Sequence, residues 1–335
     1  MDERSGRRLL IDHVSTCLRG NPLGDPHRRR IEVLLPPGYH RGARYPVVYW
    51  LPGFGATPTL TRGPVVFGPD PAARIHAAMA DGQVPAALLV VPDCTTAYGG
   101  SQYLDSPGSG RYLGYLGEVV AEVDRRFSTR AEPAGRAVAG KSSGGYGALV
   151  AAMHTDLFGA ALAHTPDAGF EHCYLPLLPG VLDTLAGAGG VRRFLERRAT
   201  GPHDGRYMVA MSLLAMGMCY RAGADGGPAQ ALPCDPVTGV FRPAVWQQWL
   251  RHDPVRTASA HTDRLRALGL LYLETGRHDE YHMHWGVRAL HATLGELGVD
   301  HEYQEHDGGH AGIEHRFTTS LARLGQLWGE TARVG

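Results

Sequence analysis

Five residues, Gly140-Lys141-Ser142-Ser143-Gly144, constrain the fold of this chain more than any other stretch. They fit the pattern G-x-S-x-G. An apolar run at 136 to 139 leads into them, and a helical pattern follows through about Met153. A serine at such a junction calls for a sharp strand-to-helix turn in strained backbone geometry. The glycines two before and two after it keep side chains from colliding. The turn lifts the hydroxyl clear of the sheet. It also sets the next backbone N–H, that of Ser143, at a helix N-terminus, where developing negative charge is stabilised. Only Ser142 has glycine at both positions; Ser143 would need one at 141, where lysine stands.

The rest of the chain supplies the sheet that such a turn needs. Short apolar runs at 30–35, 47–51, 86–92, 160–164 and 268–273 read as strands, with a further short strand at 301–304. Runs of that kind suit strands buried on both faces. Helical spacing appears between them at 71–81, 113–127, 285–297 and 317–332. Strands alternating with helices predict a mostly parallel central sheet flanked by helices on both faces. From about Asp167 to Asp253 the rhythm breaks into helices and Gly-rich joints without strand signals. Within it, YMVAMSLLAMGMCY (207 to 220) reads either as a buried helix or as part of a cap whose flexible Met side chains adapt to substrate. The predicted organisation is an N-terminal extension, 1–29, and one domain, 30–335, with a helical cap insertion at about 167–253.

Composition narrows the function. The 33 basic and 33 acidic residues cancel, which argues against a nucleic-acid or anionic-membrane partner. No apolar stretch approaches bilayer length, and the first residues lack a signal-type apolar core. A cytoplasmic location is expected. The five cysteines are scattered without CxxC spacing, so they predict free thiols rather than disulfides or a zinc knuckle.

A nucleophilic serine needs a base and an acid, and behind an elbow of this type they follow in the order Ser, acid, His. Past the strand at 268–273 comes Glu274-Thr275-Gly276-Arg277-His278-Asp279-Glu280. Asp279 is the candidate acid, in a loop beyond a strand's carboxyl end, where such sheets place their sites. Glu280 is the nearby alternative and Glu274 a weaker one. His310, in the Gly-rich stretch His306-Asp307-Gly308-Gly309-His310, is the candidate base; His306 and His315 have less support from position. The second oxyanion donor is expected in Leu51-Pro52-Gly53-Phe54-Gly55, at the N–H of Phe54 or, second, of Gly55.

The combination LPGFG, YGGSQYLDSP, GKSSGGYGAL, GRHDE and EYQEHDGGH resembles the esterase D-like branch of the α/β hydrolases, which includes feruloyl and S-formylglutathione esterases. The resemblance runs from about residue 30 to the C-terminus. It implies the α/β-hydrolase fold, a triad of Ser142, Asp279 and His310, and no metal or organic cofactor. It also implies cleavage of a small-molecule carboxylic ester or thioester through an acyl-enzyme. An acyltransferase or thioesterase with the same triad, and a non-catalytic binding protein of this fold, are the alternatives. The chain departs from the family pattern at Lys141, where His is usual before the serine, at Pro52-Gly53, where His-Gly is common, and at His306, where an aromatic is common.

Three further features are ambiguous in the sequence. Lys141, the one lysine of the chain, points away from Ser142 if strand alternation holds. It either contacts the acid loop or an anionic substrate, or is a solvated or locally paired residue. Ser101 and Tyr103, after the strand at 86–92, either contact substrate or pack their loop down. His278, Glu280, His282 and His284 crowd one stretch, but HExxH is absent and no metal site is predicted.

Overall fold

The computed structural model describes residues 7–56, 71–201, 203–221 and 227–329. Eight strands form one sheet: β1 (Arg8–Val14), β2 (Arg28–Leu34), β3 (Val47–Leu51), β4 (Leu88–Pro92), β5 (Arg136–Lys141), β6 (Ala160–His164), β7 (Leu270–Gly276) and β8 (Glu302–His306). Their spatial order is β1-β2-β4-β3-β5-β6-β7-β8. β2 pairs antiparallel with both β1 and β4, and every pairing from β4 to β8 is parallel. This is the mostly parallel sheet that the alternating pattern predicts.

Alternation along β3 shows how the layers form. Val47, Tyr49 and Leu51 face a core shared with the helices α2 (Tyr112–Arg126) and α3 (Ser143–His154). Val48 and Trp50 face the opposite core, shared with α1 (Pro71–Ala80) and the C-terminal helix Phe317–Leu327. Both faces are covered, so an uninterrupted apolar run is what β3 requires.

The predicted N-terminal extension is corrected by the first strand. Arg8–Val14 form the sheet's edge, paired with β2 from Arg8↔Leu34 to Val14↔Arg28. The segment RLLIDHV buries Ile11 and exposes Leu10, an edge strand with only one inward apolar side chain deep in the core, hence its faint signal. It is fastened to α2 through Glu118, whose carboxylate accepts the N–H groups of Thr16 and Cys17 at 2.9 and 3.0 Å.

Between β6 and β7 the described residues form helices and no strand of the main sheet. This segment builds its own apolar core around α4 (Leu178–Gly187), α5 (Gly205–Tyr220) and α6 (Pro243–Leu250). Asp253 pins its root. The buried carboxylate accepts N–H groups of Gly169, Phe170 and Val255 at 2.9, 2.9 and 3.0 Å. Among the described residues no helix is long and apolar enough to cross a membrane.

Candidate active site

Ser142 joins β5 to α3 with φ 58° and ψ −128°. A residue with a Cβ pays about 1–3 kcal/mol for such a conformation, and it persists only where neighbours enforce it. Here the Ser142 N–H donates to the His164 carbonyl at 2.9 Å, and the Ser142 carbonyl accepts the Tyr146 N–H at 2.9 Å. A Cβ on Gly144 would stand 1.9 Å from the Leu51 carbonyl oxygen, and one on Gly140 would stand 2.4 Å from the backbone of Gly144. The two glycines are where β3, β5 and α3 meet backbone to backbone. Any side chain there would force the turn open.

Asp279 is 2% exposed, in the loop after β7. Its Oδ1 accepts the Tyr281 N–H at 2.9 Å, and its Oδ2 is hydrogen-bonded to His310 Nδ1 at 2.8 Å. With the Nδ1 proton directed at the carboxylate, Nε2 is left as the basic nitrogen of the neutral ring. Glu280 has a different task. Its Oε2 accepts the backbone N–H of His310 at 2.7 Å, and that bond holds its carboxyl below the usual range. The adjacent acids therefore grip His310 by ring and by backbone. Tyr281 sets its ring edge-on to the imidazole, 4.9 Å between centroids. Glu274 is fully buried, ion-paired with Arg316, and outside the cavity.

Ser142 and His310 line one cavity of about 560 Å³. The Met-rich helix α5 supplies much of its far wall. Met208, Ser212 and Met216, spaced by four, face the cavity, while Ala210, Leu214 and Cys219 pack into the insertion's own core. One face of the helix is thus turned to the cavity and the other to the core of the insertion. The cavity's size lies in the range that encloses small-molecule ligands.

The turn after β3 packs directly on the elbow. A Cβ on Gly53 would sit 3.3 Å from the Lys141 carbonyl oxygen. The Gly55 N–H is committed to the Gly99 carbonyl at 3.2 Å, which corrects its nomination as the second-choice oxyanion donor. Phe54 and Ser143 both line the cavity. The N–H of Ser143, first residue of α3, has no acceptor within its helix.

Ser101 and Tyr103 lie outside the cavity wall, 1% and 4% exposed, and are not placed to touch a substrate there. The Tyr103 hydroxyl donates to the Pro52 carbonyl at 2.5 Å. Its ring fills the space a Cβ on Gly147 would need. Tyr103 braces the turn that carries Phe54. Lys141 Nζ lies 3.6 Å from Glu314 Oε1, and both residues stand in the cavity wall. The histidines of 278–284 do not gather: among the described residues no group of three His, Cys, Asp or Glu side chains could hold a metal ion.

The sequence reading gave no role to Asp167 or Tyr174. Asp167 and Tyr174 are part of the cavity wall. Asp167 follows β6 much as Asp279 follows β7, so position beyond a strand's carboxyl end was an available signal.

The sheet order, the strained serine between β5 and α3, and the loops gathered at the strands' carboxyl ends define the α/β-hydrolase fold. Solved structures share it: a ferulic acid esterase (17% identity, covering 96% of this chain and 99% of that one, TM-score 0.60); FphF, a fluorophosphonate-binding serine hydrolase of Staphylococcus aureus (13%, 95% and 98%, TM-score 0.59); and an S-formylglutathione hydrolase from Agrobacterium tumefaciens (15%, 99% and 96%, TM-score 0.54). At these identities the likeness is one of fold. The sequence family described as "Putative esterase" matches residues 26–322, and the chain belongs to that family. Membership supports ester hydrolysis as its chemistry. No curated protein sequence gives a significant match.

Proposed function

We propose that this protein is a serine-dependent carboxylic ester hydrolase that works through an acyl-enzyme on Ser142. The observation that carries the reading is a single cavity lined by a strained serine and by a histidine hydrogen-bonded to a buried aspartate at 2.8 Å. Ser142 Oγ attacks the acyl carbonyl carbon while His310 Nε2 takes its proton. For that transfer the hydroxyl closes onto Nε2, a contact that free enzymes often hold loosely. Asp279 keeps the ring oriented and stabilises the imidazolium. The N–H groups of Ser143 and Phe54 stabilise the oxyanion. His310 then protonates the leaving alcohol, and water, deprotonated by the same nitrogen, releases the acid.

A fluorophosphonate probe tests the reading directly. One probe per chain, mapped by mass to the peptide containing Ser142 and lost in a folded His310→Ala variant, is the expected result. Native protein that stays unlabelled, or labelling that survives His310→Ala, would sink it.

A further inference from the structure

We propose that Asp167 is a specificity-determining residue, selecting substrates whose buried portion carries a hydrogen-bond donor, a hydroxyl or an ammonium group. The inference deepens the esterase reading by naming what the cavity recognises.

The starting point is a closed circuit of four buried side chains. Gln102 Nε2 donates to Asp167 Oδ2 at 2.9 Å and to the Tyr220 hydroxyl at 2.8 Å. The Tyr174 hydroxyl donates to the same Asp167 Oδ2 at 2.8 Å and lies 3.0 Å from the Tyr220 hydroxyl. With Tyr174 donating to Asp167, Tyr220 is the donor between the two phenols. Every donor in the circuit is then spent: both amide hydrogens of Gln102 and both phenolic hydrogens. The buried atoms left without a partner are Asp167 Oδ1 and Gln102 Oε1, and both are acceptors. A buried acceptor without a donor is costly, about 1–3 kcal/mol for a neutral group and more for a charged one. Only a group that brings a hydrogen can satisfy them.

The place of Asp167 in the molecule ties its unpaired oxygen to the site. Asp167 and Tyr174 stand in the wall of the cavity that holds Ser142 and His310. The other charges of that wall, Lys141 and Glu314, face each other, so neither is left over for Asp167. Burial pushes the Asp167 carboxyl up, while its two donors and the nearby His310 oppose that rise. Gln102 is held at φ 50°, directly before Tyr103 at φ 54°. Two consecutive non-glycine residues in the left-handed region are uncommon and mark a segment that the surroundings enforce. One of them serves Asp167, and the other braces the oxyanion turn.

The conservative variant makes a sharp test. In Asp167→Asn the donors of Gln102 and Tyr174 still demand an oxygen at the Oδ2 position. The amide nitrogen therefore falls at the Oδ1 position, and the vacant acceptor becomes a donor. The measurement compares methyl hexanoate with its ω-hydroxy, ω-amino and ω-methoxy derivatives, by kcat/KM on the intact protein. The same four esters are titrated calorimetrically against a Ser142→Ala protein with and without Asp167→Asn. We expect the hydroxy or amino ester to lead the plain one by about ten- to a hundredfold, the range for a lost hydrogen bond to a charged group. The Asn variant should lose that lead and turn it toward the methoxy ester. Whether the hydroxy or the amino ester leads identifies the donor. Ratios near one in the wild type, or a preference unmoved by Asp167→Asn at unchanged Tm, overturn the proposal. A binding preference without turnover of any ester would leave the Asp167 site standing and bring down the hydrolase reading instead.

Discussion

Two histidine–carboxylate pairs lie at or beyond the carboxyl ends of β6, β7 and β8, and of these two only one lines the cavity. His310 and Asp279 are joined at 2.8 Å beside Ser142. His164, the last residue of β6, has its Nδ1 2.8 Å from Glu274 Oε2 and its Nε2 2.9 Å from the hydroxyl of Ser320. By composition the second set is a serine, a histidine and an acid at contact distance, as a catalytic triad is. Three differences deny it that work. His164, Glu274 and Ser320 are fully buried and none of them lines the cavity that holds Ser142. The Nδ1–Oε2 approach is not aligned as a hydrogen bond. Ser320 lies inside a regular helix, its hydroxyl 3.1 Å from the Phe317 carbonyl, whereas Ser142 is held at positive φ at a helix start. The chemistry of a site lies in access and enforced geometry; residue types alone do not supply it.

The contrast breaks most cleanly at the acids. Asp279→Asn should lower kcat about 10⁴-fold, because the amide no longer holds the ring in the basic tautomer. Melting should change little, since shape and the Tyr281 N–H bond are kept. Glu274→Gln should do the reverse. It removes a buried charge paired with Arg316, whose side chain is 22% exposed. A cost of about 3 kcal/mol is expected, the low end for breaking a buried pair because Arg316 keeps some water. Urea unfolding measures that cost, and kcat of the folded fraction should stay within a few-fold. If Glu274→Gln instead abolished turnover at full stability, the division between the two pairs would be wrong.

The sequence made one pair legible and hid the other's meaning. The elbow was readable because two glycines and a strand–helix junction are local facts, fixed by what backbone can approach Ser142. Asp279 was a candidate from its place after β7, and the structure sets it against His310. His164 and Ser320 come together over 156 positions of sequence separation, which no local pattern records. Asp167 was passed over for the same reason: its donor Gln102 comes from a loop 65 positions away in sequence. Ser101 and Tyr103 were placed in the right loop, but burial depends on what packs above them. The edge strand β1 was missed because one solvent-facing side leaves little apolar periodicity to detect.

Acid should separate the pairs again. Burial, with Arg316 and Lys141 adding to it, holds the His164 ring neutral down to about 3, against an ordinary 6.5. Its unfolded form binds a proton below pH 6.5 that the folded form refuses. Folding stability from this residue is therefore undiminished above pH 6.5 and declines as pH falls from there toward 3, by up to about 1.4 kcal/mol per pH unit. Comparing urea unfolding of wild type and His164→Gln at pH 7, 6 and 5 isolates that contribution. The variant should lose less stability on acidification than the wild type. Parallel pH curves would mean that His164 is already charged in the fold.

Lys141 is the one residue that touches both halves of the comparison, and its effect should be the smallest. Across the carboxyl ends of the strands it is in register with His164, which is in register with Glu274, and it immediately precedes Ser142. Its contact with Glu314 is 3.6 Å, with Glu314 41% exposed. Pairs of that kind contribute about 0–1 kcal/mol. Lys141→Gln should therefore change kcat/KM on a neutral ester by less than about fivefold, the kinetic equivalent of such a pair. Its second effect is on the buried ring. With one positive charge gone, His164 accepts a proton more readily, so the acid loss of stability should soften slightly relative to wild type. A tenfold fall in kcat/KM confined to carboxylate-bearing esters would instead make Lys141 a substrate contact, and Glu314 the group that an anionic substrate displaces.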